Sequence, residues 1–369
     1  MPSRQGIGLM SGTSMDGLDL VCCTFTWEGD QYQFTLDQAE SIPFDPRWKG
    51  RLLYLEEQSG EIFAKTHVYL GHYFGEAIRG FIDRHSLKPD FVAIHGQTIF
   101  HQPDRNFTAQ IGDGETVASY LPCPLVSNFR NKDLALGGQG APLITLGEQH
   151  LFPDYRLFLN LGGFSNLTYG ATAFDISPCN IVLNHVYRHQ VDGKEGQDFD
   201  RDGALAASGR LAPELLSALN ALSYYHKPPP KSLGWEWVQG EVLPILDDWT
   251  GTTADLLHTF SVHAARQIGA AVRQVGARDE PMLVTGGGRY HRFLMSQIAA
   301  ELAPEGIRIV EDVPEGWVDF KEAIVFAFLG LRTLQGRPTT LASVTGAKHD
   351  VVTGSIHLPP TGGWAMFAG

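Results

Sequence analysis

Short apolar runs bounded by glycine alternate along the chain with longer stretches of helical hydrophobic spacing. The longer stretches, which predict amphipathic helices, cover 61–84, 213–222, 252–275 and 293–302. The alternation of strands with helices predicts an α/β protein. The apolar runs, which predict buried strands, are 7–10, 18–25, 91–94, 157–161 and 282–284.

Two glycine turns with similar surroundings suggest two similar halves. Residues 158–168 repeat the outline of residues 7–14: an apolar strand, a glycine turn with hydroxyls, then more strand. Each half would begin with a hairpin whose tight turn faces a shared cleft. A chain of 369 residues also exceeds the usual size of one core. The repeat spacing predicts one domain of residues 1–130 plus about 340–369, and a second of residues 131–339.

Composition narrows the classes of partner. Acidic residues outnumber basic ones 41 to 28, and the net charge of -13 would repel nucleic acid and anionic membrane surfaces. No stretch approaches the ~20 apolar residues that span a bilayer, and the first residues are no signal segment. The four cysteines lack CxxC spacing, which argues against a zinc site or a disulfide framework. We therefore expect a cytoplasmic protein that binds small molecules.

The strongest local motif lies in residues 8–20, where a strand enters a turn of glycines and hydroxyls and then continues as strand. Gly12 and Gly17 would allow close backbone approach to a phosphate, and Thr13 and Ser14 would donate hydrogen bonds. Carboxylates at positions 16 and 19 could hold a metal ion through water. An ordinary hairpin with polar turn residues explains the local pattern equally well.

Two carboxylates are candidates for chemistry. Asp175 precedes Pro178 and a stretch of helical spacing over 180–187, so we expect it at a helix N-terminus, ionised and able to accept a proton. Glu322 lies near the start of a buried helix over 320–329, where a charge needs a partner. Either residue could instead be an acidic residue that only stabilises a helix start.

Polar side chains follow the strands of the first half. His95, Gln97 and Thr98 come directly after strand 91–94, at the carboxyl end where open α/β sheets bind ligands. Arg130 could bind a carboxylate in bidentate fashion or form a structural salt bridge. These residues predict a binding site in the first half.

A second set of glycines follows strand 281–284, at residues 285–288 (Thr-Gly-Gly-Gly). Backbone without side chains could lie against an adenine or a ribose, although the same residues could be a flexible turn. Lys231, in a Pro-Pro-Lys-Ser segment, could contact a phosphate or be solvated.

The string SGTSMDGLD at 11–19 resembles the phosphate-binding signature of the anhydro-N-acetylmuramic acid kinases. The resemblance covers residues 7 to about 357. It continues in order through HGQTI (95–99), QIGDG (110–114), FRNKD (129–133), GGQGAPL (137–143), NLGGF (160–164), FDISPCN (174–180), DRDG (200–203), PKSLG (230–234), TGGG (285–288), KEAIVFAF (321–328) and VTGA (344–347).

The resemblance implies a two-domain, actin-like ATPase fold, a repeated ribonuclease H-like unit with an interdomain cleft. It also implies a homodimeric enzyme that uses ATP and Mg²⁺. Such an enzyme hydrolyses the 1,6-anhydro bond of 1,6-anhydro-N-acetylmuramic acid and phosphorylates O6, giving N-acetylmuramic acid 6-phosphate in cell-wall recycling. The alternatives are another actin-like sugar or acid kinase and a non-catalytic, nucleotide-dependent switch.

The resemblance also implies roles for individual residues. Asp175 is the catalytic base that activates water, and Glu322 assists the water or a sugar hydroxyl. His95, Gln97, Thr98 and Arg130 contact the sugar. The nucleotide contacts are Gly12, Thr13, Ser14, Met15, Asp16, Gly17, Leu18, Asp19, Gly162, Gly163, Gly286, Gly287 and Gly288, with Asp16 and Asp19 holding the metal through water.

The chain departs from the family pattern beside the base. Ile176, Ser177 and Cys179 replace the Thr-Gly and the Gly or Ala of Asp-Thr-Gly-Pro-Gly-Asn, which bears on the backbone path and the pocket size. Cys179 has no histidine beside it in sequence, so we expect it to pack rather than react. His291 stands where asparagine is usual, on the expected nucleotide side.

Overall fold

The computed structural model describes residues 1–12, 17–191 and 198–361. Thr13, Ser14, Met15 and Asp16 lie outside the described residues. In chain order the strands are β1 (Ser3–Ser11), β2 (Gly17–Glu28), β3 (Gln31–Pro43), β4 (Phe91–Gln102), β5 (Phe107–Ile111), β6 (Leu125–Ser127), β7 (Leu157–Leu161), β8 (Phe164–Tyr169), β9 (Thr172–Pro178), β10 (Pro281–Thr285), β11 (Arg308–Ile309) and β12 (Ser355–His357).

The helices carry the predicted amphipathic stretches. Ser59 caps the N-terminus of α2, Thr252 caps α11, and Gly276 ends α11 with a positive φ. The helices are α1 (Pro46–Leu53), α2 (Gly60–His85), α3 (Gly114–Ala118), α4 (Asn131–Ala135), α5 (Ile144–Leu151), α6 (Asn180–Gln190), α7 (Ala204–Ser208), α8 (Pro213–Asn220), α9 (Trp235–Trp237), α10 (Leu243–Asp247), α11 (Thr253–Val275), α12 (Arg292–Leu302), α13 (Trp317–Leu334) and α14 (Ala342–Thr345).

The chain divides into two compact units, and the division differs from the predicted domain boundaries. The first unit comprises Met1–Pro153 and Phe320–Gly369, and the second comprises Asp154–Asp319. The boundaries predicted near residues 130 and 340 both lie inside the first unit. The reason is that α4, α5 and α13 are tied into that unit by polar contacts distant in sequence, which are described with the site below.

Both units contain a sheet with the same strand order. In the first, β1, β2 and β3 are antiparallel neighbours, and β4 lies parallel to β1 with β6 beyond it. In the second, β7, β8 and β9 are antiparallel neighbours, and β10 lies parallel to β7 with β11 beyond it. The predicted pair of similar α/β halves is confirmed, with the duplicated ribonuclease H-like topology of the actin-like fold.

Each sheet has its own hydrophobic core. In the first unit, Ile7 and Leu9 of β1 pack in a cluster with Leu70 and Phe74 of α2. In the second unit, β7 contributes all three of its leucines to a cluster with α11. Burying such side chains stabilises each unit by roughly 25 cal/mol per Å² of apolar surface. The packing thereby holds the central strands β1 and β7 in position in their sheets.

Gly8 of β1 brings the strand against α13, the helix that carries Glu322. A Cβ atom at position 8 would lie much closer to the backbone carbonyl oxygen of Ala323 than van der Waals contact allows. Because backbone on both sides is fixed by packing, no side chain can rotate away to relieve the contact. The position of α13 on the sheet therefore depends on the absence of a side chain at Gly8.

Replacing Gly8 with alanine is expected to lower the free energy of unfolding by about 1–3 kcal/mol or more, because the added methyl overpacks the strand–helix contact. The matched control is Gly50→Ala in α1, where a Cβ meets no atom within 4 Å. That change is expected to be neutral or to stabilise by up to about 1 kcal/mol. Denaturant unfolding measures both, and equal stabilities would contradict the close contact.

Candidate functional site

In the first unit, polar side chains meet where β1 ends beside the middle of β4. The prediction that His95, Gln97 and Thr98 follow this strand is wrong, because pairing with β5 extends β4 to Gln102. Ser11 and Gln97 are partners in the parallel register of the two strands, and both are buried. The Ser11 hydroxyl donates to Oε1 of Gln97, and Nε2 of Gln97 donates to the carbonyl of Gly12 at 3.3 Å. Gln97 thus anchors the chain as it leaves β1 for the glycine turn.

The far side of that turn is β2, which begins at Gly17. A Cβ at Gly17 would collide with the carbonyl of Ile42 on β3, so the close approach permitted by this glycine is to the neighbouring strand. Leu18 is buried in the hydrophobic core. Oδ1 of Asp19 accepts a hydrogen bond of 2.5 Å from the Ser41 hydroxyl. The two strands predicted on either side of the turn are confirmed as the antiparallel pair β1 and β2.

Arg130 and His95 form a hydrogen-bonded pair. Arg130 donates from Nε and Nη2 to Nε2 of His95 at 3.0 and 2.9 Å, and from Nη1 to the carbonyl of Gly140 at 2.7 Å. Because a guanidinium can only donate, Nε2 must be an acceptor and the imidazole proton lies on Nδ1. Burial and the Arg130 charge hold the pKa of His95 well below its usual value. The ring is therefore neutral.

Asp133 fixes the glycine-rich segment that carries the Gly140 carbonyl. Its buried carboxylate accepts from the Gly140 N–H and from the Thr345 hydroxyl, both at 2.8 Å. This contact joins α4 to α14, and it is one reason why residues 131–153 belong to the first unit. Sequence reasoning did not single out Asp133, although it lies in the FRNKD string. The available signal was a carboxylate among buried positions.

Glu322 lies on α13 beside a buried ion pair. Nζ of Lys321 is 2.6 Å from Oε1 of Glu148 on α5, and both side chains are only 1% exposed. Burial raises the pKa of Glu322, and the positive charges of Lys321 and Arg130 oppose that rise. The predicted need of Glu322 for nearby positive charge is therefore met. Thr98, the remaining predicted sugar contact, accepts from Nε2 of Gln110 at 3.2 Å.

In the second unit, Asp175 lies within β9, and the prediction that it sits at a helix N-terminus is wrong. Pro178 is the last residue of β9 rather than the first of a helix, and α6 begins at Asn180. The carbonyls of Gly162 and Gly163 accept the N–H groups that start this helix. Those two glycines of the β7–β8 turn therefore hold the start of α6.

Asp175 is held by the segment 224–233. Oδ2 of Asp175 accepts from the Leu233 N–H at 2.9 Å, and its backbone N–H donates to the carbonyl of Lys231 at 3.1 Å. The Tyr224 hydroxyl donates to the Asp175 carbonyl at 2.7 Å. Sequence reasoning missed Tyr224, because its contact with Asp175 is tertiary and nothing in the local pattern indicates it.

The residues that depart from the family pattern are accommodated by packing. The pairing of β8 with β9 shifts beside Asp175 and leaves Ile176 as an extra residue, whose side chain joins the second core. The Ser177 hydroxyl lies 3.0 Å from that of Ser165, so its polarity is satisfied. Cys179 is fully buried, and burial raises its thiol pKa to about 12. It packs, as predicted.

The glycines after β10 lie against the end of β7. Gly286 has φ +83°, and a Cβ there would be 2.6 Å from Oδ1 of Asn160. A Cβ at Gly288 would be 2.7 Å from Cβ of Leu161. Gly287 is exposed, and a Cβ there would meet no atom nearer than 3.8 Å. The backbone at Gly287 is thus open to a ligand. At Gly286 and Gly288, in contrast, glycine is required because a Cβ atom would collide with β7.

His291, which stands where the family pattern has asparagine, caps a helix. Nδ1 of His291 accepts from the Leu294 N–H at 3.1 Å and so caps α12. Burial lowers the pKa of the ring, which favours this neutral acceptor. Lys231 is half-buried, with Nζ 4.7 Å from the centroid of the Tyr224 ring and 3.3 Å from the Tyr224 carbonyl. It is therefore not a simply solvated lysine.

Within the described ranges, no three His, Cys, Asp or Glu side chains cluster so as to bind a metal ion by themselves. No described helix is both long and apolar enough to cross a membrane.

Comparison with known proteins identifies the family. The family model described as "Anhydro-N-acetylmuramic acid kinase" matches residues 4–359. An anhydro-N-acetylmuramic acid kinase of Coxiella burnetii is 33% identical over 376 residues, covering 97% of this chain and 98% of the relative. One of Shewanella halifaxensis is 34% identical over 386 residues, covering 97% and 99%.

A solved structure, the (R)-2-hydroxyglutaryl-CoA dehydratase component A of Acidaminococcus fermentans, is similar at 11% identity and a TM-score of 0.44, with 89% of this chain and 98% of that chain covered. The family assignment rests on the sequence matches, which run through both sheets and all the motifs described above. The chain belongs to the anhydro-N-acetylmuramic acid kinase family.

Proposed function

We propose that this chain is an ATP-dependent kinase that opens the 1,6-anhydro bond of 1,6-anhydro-N-acetylmuramic acid and phosphorylates O6. The product is N-acetylmuramic acid 6-phosphate, which is recovered in cell-wall recycling. The observation that carries the proposal is the family match over residues 4–359, which includes both candidate carboxylates. A cytoplasmic, homodimeric enzyme is part of the proposal and is supported by the family resemblance alone.

Asp175 is the general base in this reaction. A water oxygen bonds to the anomeric carbon, its proton passes to the Asp175 carboxylate, and the bond from the anomeric carbon to O6 breaks as O6 takes the phosphoryl group. The Leu233 N–H fixes Oδ2 of that carboxylate, and the backbone of Asp175 is tied at both its N–H and its carbonyl. These contacts support a base with one defined orientation.

The first unit contributes the sugar contacts. We assign His95, Gln97, Thr98 and Arg130 to the sugar, and Glu322 to the water or a sugar hydroxyl. Arg130 is suited to an anionic group, because the neutral His95 ring and the Gly140 carbonyl both orient its planar guanidinium. The lactyl carboxylate of the sugar is such a group.

The nucleotide contacts are the two glycine turns of the second unit and the turn at the end of β1. The open backbone at Gly287 fits a ligand that lies close to the main chain. Asp19, with Asp16 outside the described residues, supplies carboxylate oxygens of the kind that Mg²⁺ takes through water. Mg²⁺–ATP supplies the phosphoryl group and neutralises its charge.

The test is mass spectrometry of the product formed from 1,6-anhydro-N-acetylmuramic acid and Mg–ATP in ¹⁸O water. We expect a 6-phosphorylated sugar that carries ¹⁸O at the anomeric carbon. Preferential phosphorylation of N-acetylmuramic acid or glucose would instead indicate another sugar kinase. ATP binding without sugar-stimulated turnover would indicate a nucleotide-dependent switch.

Replacing Arg130 with lysine is expected to raise the KM for the sugar by about tenfold, since one ammonium cannot reproduce the charged, multidentate contact. The KM for ATP should change much less. The matched control is Arg105→Lys, at an exposed arginine of the same unit. Steady-state kinetics with each substrate varied in turn decide the question, and an unchanged sugar KM would remove Arg130 from the sugar site.

A further inference from the structure

The strand that carries Asp175 lies at the edge of its sheet. The order of the second sheet is β11-β10-β7-β8-β9, so among the described residues β9 has a strand neighbour on one side only. The pairing with β8 is also interrupted beside Asp175, where the register shifts by one residue. Bulges of this kind can re-aim a side chain, but they disrupt the hydrogen-bond ladder locally. The orientation of Asp175 therefore needs support from outside the sheet.

That support comes from the segment 224–233, which contacts Asp175 at three points. The carboxylate is held by the Leu233 N–H, and the backbone N–H is held by the Lys231 carbonyl. The Asp175 carbonyl is held by the Tyr224 hydroxyl at 2.7 Å, and this is the contact of the three to which the segment contributes a side chain. A partly buried carbonyl that loses its hydrogen-bond partner costs free energy, so this contact opposes rotation of the peptide that follows Asp175.

Tyr224 is itself fixed. Its ring is buried and lies 5.3 Å from the ring of Trp237. The Lys231 ammonium makes a cation–π contact with it, 4.7 Å from the ring centroid. Burial, with the Asp175 charge nearby, raises the pKa of the phenol far above its usual value. The hydroxyl therefore stays protonated and donates at every working pH.

We propose that Tyr224 is a positioning residue for the reaction: its hydroxyl holds the peptide of Asp175 so that the carboxylate faces the attacking water. The proposal rests on the proposed function of Asp175 as the base. Tyr224 does not touch the reacting atoms. Its removal should therefore reduce the rate of the chemical step while substrate binding is retained.

The test compares Tyr224→Phe with Tyr225→Phe in the full-length protein. Tyr225 lies in the same turn, and its hydroxyl is 2.9 Å from Nε2 of the buried His263 rather than from Asp175. Both changes remove one phenolic hydroxyl and keep the ring, so thermal unfolding should report similar losses of stability. We expect Tyr224→Phe to lower kcat by about 10- to 100-fold, with both KM values within about threefold, because a small misplacement of a catalytic group has effects of that size. Tyr225→Phe should keep wild-type kcat.

A second readout follows the geometry without turnover. With leucine selectively labelled by ¹⁵N, the amide resonance of Leu233 reports its hydrogen bond to Oδ2 of Asp175. Tyr224→Phe should shift this resonance, and Tyr225→Phe should leave it in place. The assignment can be made by comparison with a Leu233→Ile variant.

The outcomes separate the two proposals. A kcat for Tyr224→Phe within twofold of wild type, or equal losses in both variants, overturns the positioning role. If the wild-type enzyme forms no product from the anhydro sugar, the proposed function fails. The Leu233 resonance alone then tests whether Tyr224 positions Asp175. A shift confined to Tyr224→Phe upholds the positioning of Asp175 by Tyr224, and no shift overturns it.

Discussion

Asp175→Asn is expected to reduce formation of the 6-phosphorylated sugar by about 10²- to 10⁴-fold, the usual contribution of a positioned general base. The asparagine side chain has nearly the same size and can still accept from the Leu233 N–H. It cannot take a proton from water at any ordinary pH. The rate should therefore fall while the fold and the KM for ATP are retained. Mass spectrometry of the product in ¹⁸O water measures the loss.

The matched control for this change is Asp248→Asn, at an exposed aspartate of the second unit. It removes the same charge from the same unit and should keep wild-type turnover. If Asp175→Asn also turned over within about tenfold of wild type, Asp175 would not be the base, and the proton would have to pass to another group.

Lys321→Met is expected to lower the free energy of unfolding by about 3–5 kcal/mol, because it leaves the Glu148 carboxylate buried without its ammonium partner. Adding Glu148→Leu should restore much of that stability, since two apolar side chains can pack where the ion pair lay. Denaturant unfolding of the single and double variants measures both effects. A loss below about 1 kcal/mol in the single variant would mean that the pair is solvated.

The same variant has a consequence for pH dependence. The Lys321 charge lowers the pKa of Glu322, whereas burial raises it. Removing the charge should therefore raise the pKa of Glu322 further, and any limb of the pH–rate profile that reports this carboxyl should move to higher pH. Lys348→Met, at an exposed lysine of the first unit, is the control and should change neither stability nor profile.

Sequence patterns were sufficient for the type and order of the main elements, because strands and helices differ in hydrophobic period. They were not sufficient for the unit boundaries. Residues 131–153 belong to the first unit because Thr345 bonds to Asp133 and Lys321 pairs with Glu148, contacts that join positions 212 and 173 residues apart. Local composition carries no signal of such contacts.

The candidate site shows the same limit. His95 and Gln97 were expected directly after a strand, yet they lie within β4 beside the end of β1, because pairing with β5 extends β4 to Gln102. The location of Asp175 was predicted wrongly, because a proline before the helical spacing over 180–187 suggested a helix that begins at Pro178, two residues before α6 does. The actual start of α6 is set by carbonyls of the β7–β8 turn. Tyr224 was missed because it reaches Asp175 from 49 residues away.

The segment that holds Asp175 also has a consequence for association. An edge strand offers unpaired backbone groups to any other extended chain, which is a route to aggregation. Here the exposed edge of β9 is covered at Asp175 by a segment that contains Pro228, Pro229 and Pro230. Since proline has no N–H, this cover cannot continue the ladder as a full strand. The segment therefore opposes pairing of a neighbouring molecule with β9 at this point of the edge.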